Sequence, residues 1–278
     1  MFDVTHPEVV EAVRRALAED IGPGDVTSEA CVPAERRASG RFIARGEIIV
    51  AGIELLPLIY EMRGGVEACE LRKASGDSAR DGEVLANVTG NARTLLACER
   101  VSLNFLQRLS GVATLGRRYV EAVAGTKCRI LDTRKTTPGL RWLEKMAAAA
   151  AGVTNHRMGL FDAILIKNNH IAAAGGITPA LERASRSGLP VEIEVRTRGE
   201  IEEALAAGAK HLLLDNMSPE QAAEEIRHIG GRAAVELSGG INLESVRPYA
   251  EAGADFVSSG AITHSAAAVD INFRLELI

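Results

Sequence analysis

Four short segments of this chain put charged side chains where a folded protein ordinarily puts aliphatic ones. They are Leu131-Asp132-Thr133-Arg134-Lys135-Thr136-Thr137-Pro138, Asn155-His156-Arg157 followed by Lys167, Val191-Glu192-Ile193-Glu194-Val195, and Leu212-Leu213-Leu214-Asp215. Each charge lies in, at the end of, or just ahead of an apolar run that reads as a buried strand. Burying a charge without a partner costs several kcal/mol, so a chain that does this repeatedly binds something highly charged. The cations call for an anionic ligand. The carboxylates call for a divalent metal or a developing positive charge. The pattern reads as an enzyme acting on phosphates.

Period-two alternation puts Glu192 and Glu194 on one strand face, with Val191, Ile193 and Val195 on the other. For Glu192, a structural carboxylate bonded to neighbouring cations and a functional one are equally good readings. Glu194 and Asp215, both at strand ends, read better as ligands of Mg²⁺ or of ribose hydroxyls. Ser238-Gly239-Gly240 and Ser259-Gly260-Ala261 follow the last two apolar runs. Parallel α/β barrels often bind phosphate at those two loops, where glycine lets backbone N–H groups come close. Arg100 shares a helical stripe with Leu96 and Leu103. It is either a snorkelling side chain paired with Glu99 or a guanidinium offered to a carboxylate, and spacing alone leaves both open. His170 and His264 read as hydrogen-bonding residues rather than metal ligands.

The elements that must position these groups follow from the wider pattern. A chain of 278 residues with 46% hydrophobic and 25% charged residues can bury a full-sized core. A net charge of −5 argues against a general nucleic-acid or membrane surface. Four scattered cysteines, Cys31, Cys69, Cys98 and Cys128, lack zinc-like spacing and fit a reducing compartment. With no leader-like start and no apolar run long enough to span a bilayer, a cytoplasmic location is the expectation. Thr5-His6-Pro7-Glu8 reads as a capping box opening a helix that carries Val9, Val10, Val13 and Leu17. Residues 38–90 read as a small α+β region, with strands at 41–44, 47–50 and 66–72. Residues 91–124 read as helix with a break near Gly111.

From Cys128 onward, strand and helix alternate. Strands are expected at 128–133, 162–167, 191–196, 211–215, 233–237 and 255–259. Thr197-x-x-Glu200 and Ser218-Pro219-Glu220-Gln221 are helix starts, and Gly208 and Gly253 close two helices that lead into strands. This alternation implies a parallel sheet, compact enough for an α/β barrel. No G-x-G-x-x-G or Walker A loop is present.

Taken together, the segments resemble the quinolinate phosphoribosyltransferase family nearly end to end. The resemblance rests on Glu19-Asp20-Ile21-Gly22-x-Gly24-Asp25-x-Thr27, Glu99-Arg100-x-x-Leu103-Asn104 and Asp132-Thr133-Arg134-Lys135-Thr136-Thr137-Pro138-Gly139. It continues through Asn155-His156-Arg157-x-Gly159-Leu160, Leu165-Ile166-Lys167-x-Asn169-His170, Ser238-Gly239-Gly240-Ile241 and Gly260-x-x-Thr263-His264-Ser265. It implies an incomplete parallel α/β barrel over 111–265 and an N-terminal α+β domain over 1–110, to which 266–278 return. It also implies a homodimer, or a hexamer, whose active site borrows residues from the neighbouring subunit. Carried over, Arg134, His156, Arg157 and Lys167 would hold quinolinate, with Arg100 from the partner. Lys135, Glu194 and Asp215 would meet phosphoribosyl pyrophosphate and Mg²⁺, and Lys135, Lys167, Glu194 and Asp215 would carry the catalysis. Ser238, Gly239, Gly240, Ser259, Gly260 and His264 would line the phosphate end. The implied reaction gives nicotinate mononucleotide, pyrophosphate and carbon dioxide, a step of de novo NAD biosynthesis. The alternative is a molybdenum-transport-associated relative acting on another aromatic acid. One departure from the family pattern is the run Met146-Ala147-Ala148-Ala149-Ala150-Ala151-Gly152, where a Gly-Gly pair is common.

Overall fold

The computed structural model describes residues 3–278. Along the chain run β1 (Arg37–Arg45), β2 (Ile48–Ile49), β3 (Ala68–Leu71), β4 (Ser78–Ala79) and β5 (Val84–Asn91). They are followed by β6 (Arg129–Leu131), β7 (Ile164–Ile166), β8 (Val191–Val195), β9 (His211–Asp215), β10 (Ala234–Ser238), β11 (Phe256–Ser258) and β12 (Asp270–Leu277). The chain separates into two compact units. One comprises the chain up to Arg117 with Thr136–Gly152 and Ile262–Ile278, and the other Arg118–Lys135 with Val153–Ala261.

In the first unit, an antiparallel sheet of order β12-β1-β5-β3 packs its inner residues into a core. Phe42 lies opposite Phe273 across the β1–β12 ladder, with ring centroids 4.9 Å apart, a favourable cross-strand pair. The returning C-terminal segment is pinned by Val269 N–H to the Gln107 carbonyl at 3.1 Å and by the Gln107 amide to the Ile271 carbonyl at 2.9 Å. Helix Pro7–Ile21 buries Val9, Ala12, Val13, Leu17 and Ile21, the stripe its periodicity calls for. Its cap is His6, whose Nδ1 accepts the Glu8 N–H at 3.2 Å, whereas Thr5 bonds Asp3. Helix Ala92–Ala122 is continuous through Gly111. A Cβ at Gly111 would lie 2.1 Å from the Ala267 carbonyl oxygen, so that glycine serves close packing rather than a break. The alanine run continues helix Arg141–Ala150, and Gly152 follows with φ +96°.

In the second unit, six parallel strands lie in the order β6-β11-β10-β9-β8-β7. Among the described residues no ladder joins β6 to β7; an isolated parallel bridge pairs Leu131 with Thr154. The barrel is incomplete. Its helices begin and end where the sequence indicates. Thr197 Oγ1 accepts the Glu200 N–H, Ser218 and Gln221 cap each other reciprocally, and Gly208 and Gly253 have φ of +87° and +96°. No helix among the described residues is long and apolar enough to cross a membrane.

Candidate active site

Strand register in the second unit explains why so many charges meet. Leu165 pairs with Glu192, Glu194 with Leu213, Leu213 with Glu236, and Asp215 with Ser238. Paired residues of parallel strands share a face, and so do residues two apart. Glu192, Glu194, Leu213, Asp215, Glu236 and Ser238 therefore line one face of the sheet, while Ile193 and Val195 are fully buried on the other. That face opens into a cavity of about 460 Å³, whose polar lining includes Arg134, Lys135, His156, Arg157, Lys167 and Glu236.

A buried carboxylate fixes the loop that brings His156 and Arg157 there. Asp132, fully buried at the end of β6, accepts the His156 N–H at 2.8 Å and the Asn155 side-chain amide. The Arg157 guanidinium donates to the Ala163 carbonyl at 3.1 Å. Burial and the neighbouring Arg134 cation both lower the Arg157 pKa. Arg134 and Arg157 thus hold two like charges close together at one cavity, an arrangement that an anion would relieve. His170 accepts the Lys167 N–H on Nδ1 at 2.9 Å, a hydrogen-bonding role as expected.

Beneath the cations lies an acidic trio. His156 Nε2 is 3.1 Å from Glu192 Oε2 and 3.4 Å from Glu236 Oε2. Glu236 is 3% exposed. Burial raises the Glu192 pKa, and the Glu236 charge adds to that rise. Two influences oppose each other at the histidine. Burial lowers its basicity, but hydrogen bonds and charge from Glu192 and Glu236 outweigh this and lift it to about 9. Against that, Nδ1 accepts the Arg157 N–H at 2.7 Å, which requires an unprotonated Nδ1. The direct contact decides the assignment: a neutral ring with its hydrogen on Nε2, shared with the carboxylates. The three ligand atoms lie within 4.8 Å of one another. A metal there would need the Nε2 lone pair, which this tautomer lacks, so the trio is a hydrogen-bonded cluster.

The ends of β8 and β9 carry the other two carboxylates. Glu194 is nearly buried, and its Oε1 accepts from the Arg196 guanidinium at 2.7 Å. Asp215 Oδ2 accepts from the Asn216 amide at 2.6 Å and lines a cavity of about 620 Å³ with Arg196, Thr197 and Arg198. Each carboxylate thus has one oxygen in a named bond. Hard oxygen donors of this kind fit Mg²⁺, which accepts few protein ligands alongside water and phosphate.

Family models match almost the whole chain: the N-terminal domain of quinolinate phosphoribosyl transferase over residues 25–110, and its C-terminal domain over 112–274. The chain belongs to the quinolinate phosphoribosyltransferase family. It is 38% identical over 277 residues to a probable nicotinate-nucleotide pyrophosphorylase (carboxylating) of Bacillus subtilis, covering 99% of this chain and 96% of that one. To the nicotinate-nucleotide pyrophosphorylase (carboxylating) of Mycobacterium leprae it is 40% identical over 273 residues, covering 95% and 96%. The crystal structure of NadC from Streptococcus pyogenes superposes with a TM-score of 0.94 at 36% identity, over the full length of both chains.

Within this phosphoribosyltransferase chain, Arg134, Lys135, His156, Arg157, Lys167 and Ser238 gather in one cavity, and Asp215 lines the next. Arg100 is exposed on helix Ala92–Ala122 in the first unit and lines neither cavity. His264, also in the first unit, is exposed and pairs with the Ser265 hydroxyl at 2.7 Å. Ser259 is buried and spends its hydroxyl on the Ile241 carbonyl at 2.8 Å and its N–H on the Leu131 carbonyl at 3.2 Å. Gly240 has φ +64° with open space where a Cβ would stand, and Gly260 is buried. Sequence reasoning missed Glu236. Its signal was present, a carboxylate inside the apolar run Ala233-Ala234-Val235-Glu236-Leu237, the same signal that singles out Glu192.

Proposed function

We propose that this protein transfers the phosphoribosyl group of phosphoribosyl pyrophosphate to quinolinate with decarboxylation, forming nicotinate mononucleotide, pyrophosphate and carbon dioxide. The observation that carries the reading is the convergence of Arg134, Arg157 and Lys167 in one cavity floored by Glu236, in a chain of this family. A planar dianion suits that arrangement. Guanidinium forks take carboxylates bidentately, and Lys167 adds a mobile point charge.

The residues divide the work. Arg134, Arg157 and Lys167 hold the two carboxylates, with His156 and its carboxylate partners fixing the loop that presents Arg157. Lys135, at the rim, meets the pyrophosphate as negative charge builds on it. Glu194 and Asp215 would hold Mg²⁺ and orient the ribose, and the metal, when bound, supplies charge neutralisation to the pyrophosphate. Ser238, Gly239, Gly240 and Gly260 contribute backbone to the phosphate end, and Ser259 shapes that loop. The pyridine nitrogen attacks C1 of the ribose as the C1–O bond to pyrophosphate breaks. The cationic ring then accepts the electron pair released at C2 when carbon dioxide leaves, and C2 takes a proton from solvent. Fixed charge and positioning supply the rate; no covalent nucleophile is involved. The active form is a homodimer in which Arg100 of one subunit completes the quinolinate site of the other.

The test supplies quinolinate, phosphoribosyl pyrophosphate and Mg²⁺ and measures nucleotide and carbon dioxide together. One carbon dioxide per nucleotide is expected, with no product from nicotinate, which lacks the C2 carboxylate. Equal use of both acids, or nucleotide formed without carbon dioxide, refutes the reading. Omitting Mg²⁺ and adding chelator should abolish turnover.

A further inference from the structure

Asn216 follows the β9 carboxylate and differs from every other described non-glycine residue in having a positive φ, +58°. That conformation is uncommon outside glycine and is retained where surrounding structure enforces it. Three contacts enforce it here. The Asn216 N–H donates to the Ser238 carbonyl at 2.9 Å, which extends the β9–β10 pairing by one residue. Its side-chain amide donates to Asp215 Oδ2 at 2.6 Å. Gly239 leaves room for it: a Cβ there would stand 2.4 Å from Asn216 Oδ1 and 2.7 Å from its backbone nitrogen. A flexible amide could retreat from such a Cβ, but the backbone nitrogen could not. The space beside Gly239 is thus filled by Asn216, while the space beside Gly240 is open.

We propose that Asn216 is a positioning residue for the ribosyl donor, gripping one oxygen of Asp215 so that the other is aimed into the cavity both residues line. Gly239 is the permissive half of the device, since only a residue without a side chain admits Asn216 at that distance. The inference rests on the reading above that Asp215 meets phosphoribosyl pyrophosphate.

Asn216→Gly is the informative variant, because glycine adopts φ +58° freely and removes only the amide. Binding of phosphoribosyl pyrophosphate with MgCl₂, followed by titration calorimetry, is expected to weaken about tenfold to a hundredfold, the scale of a lost hydrogen bond to a charged group. The KM for quinolinate and the melting temperature should stay at wild-type values, and a crystal structure should show the Asp215 carboxylate rotated. Asn216→Asp, which sets carboxylate against carboxylate, should bind the donor more weakly still. Wild-type donor affinity in Asn216→Gly overturns the proposal. So does an unmoved Asp215, or a loss that falls equally on donor, quinolinate and melting temperature. A wild-type protein that binds the donor but does not turn over quinolinate removes the proposed reaction and leaves this inference intact. One that does not bind the donor at all overturns both.

Discussion

Replacing Arg108 by Met should destabilise the first unit more than any surface substitution, because Arg108 is the cation that balances a carboxylate sealed from water. Glu144 has no exposed surface. It accepts from Arg108 Nη2 at 2.7 Å and Nε at 3.1 Å, and from Thr137 N–H at 3.0 Å and Oγ1 at 2.6 Å. Arg108 also donates to the carbonyls of Ala266, at 2.7 Å, and Thr263. Methionine keeps the aliphatic stem but strands a buried charge, a loss of about 3–5 kcal/mol. At about 2–4 °C per kcal/mol for a large domain, the melting temperature falls by roughly 6–20 °C. The double variant Arg108→Met/Glu144→Met removes the stranded charge and should recover part of the loss. Recovery stays incomplete because the Ala266 carbonyl and the Thr137 N–H lose partners, at about 1–3 kcal/mol for each group left unsatisfied. Differential scanning calorimetry of wild type, both single variants and the double variant completes the cycle. A single Arg108→Met variant that melts with wild type would show that water reaches Glu144 and would sink the argument. So would a double variant less stable than either single one.

Three further outcomes follow from individual side chains. Ring ¹⁵N shifts of His156 near neutral pH should show hydrogen on Nε2 and a bare Nδ1; hydrogens on both nitrogens would mean that the carboxylates, not the Arg157 amide, set its state. Alkylation of the native protein at pH 8 should modify exposed Cys31 first, because burial pushes the Cys98 thiol up to about 12 and Cys128 to about 11; early labelling at Cys98 would refute its burial. Asp25 caps helix Val26–Cys31, and bonds from the Ser28 hydroxyl and N–H hold its pKa below the ordinary 3.8. Its contribution should therefore be complete above pH 3.8 and vanish as pH falls through the depressed value. Asp25→Ala should cost about 1 kcal/mol at pH 7 and progressively less as the pH falls below 3.8, as read from urea midpoints.

How much the chain discloses depends on whether a residue's partner lies nearby in sequence. Caps and turns are local, so Thr197, Ser218, Gly208 and Gly253 could be placed from sequence and stand where their spacing requires. Glu192 and Glu194 could be put on one face by alternation alone, and register confirms that they share it. The partners of Glu192 were not legible. His156 meets Glu192 and Glu236 across 36 and 80 positions: the strand order β10-β9-β8 brings the two carboxylates near each other, and the loop held by Asp132 brings the histidine to them. Gly111 shows the converse error. Read locally it looks like a helix break, yet its lack of a side chain answers to Ala267, far along the chain. Gly239 was legible as a needed glycine, but the side chain that makes a Cβ impossible there, Asn216, was not. Charges inside apolar runs therefore point to side chains that the fold gathers around one cavity. What each charge does there depends on which distant residue the sheet sets beside it. For Glu192 that residue is His156, 36 positions away; Glu194 instead bonds Arg196 only two positions on, so its partner is local.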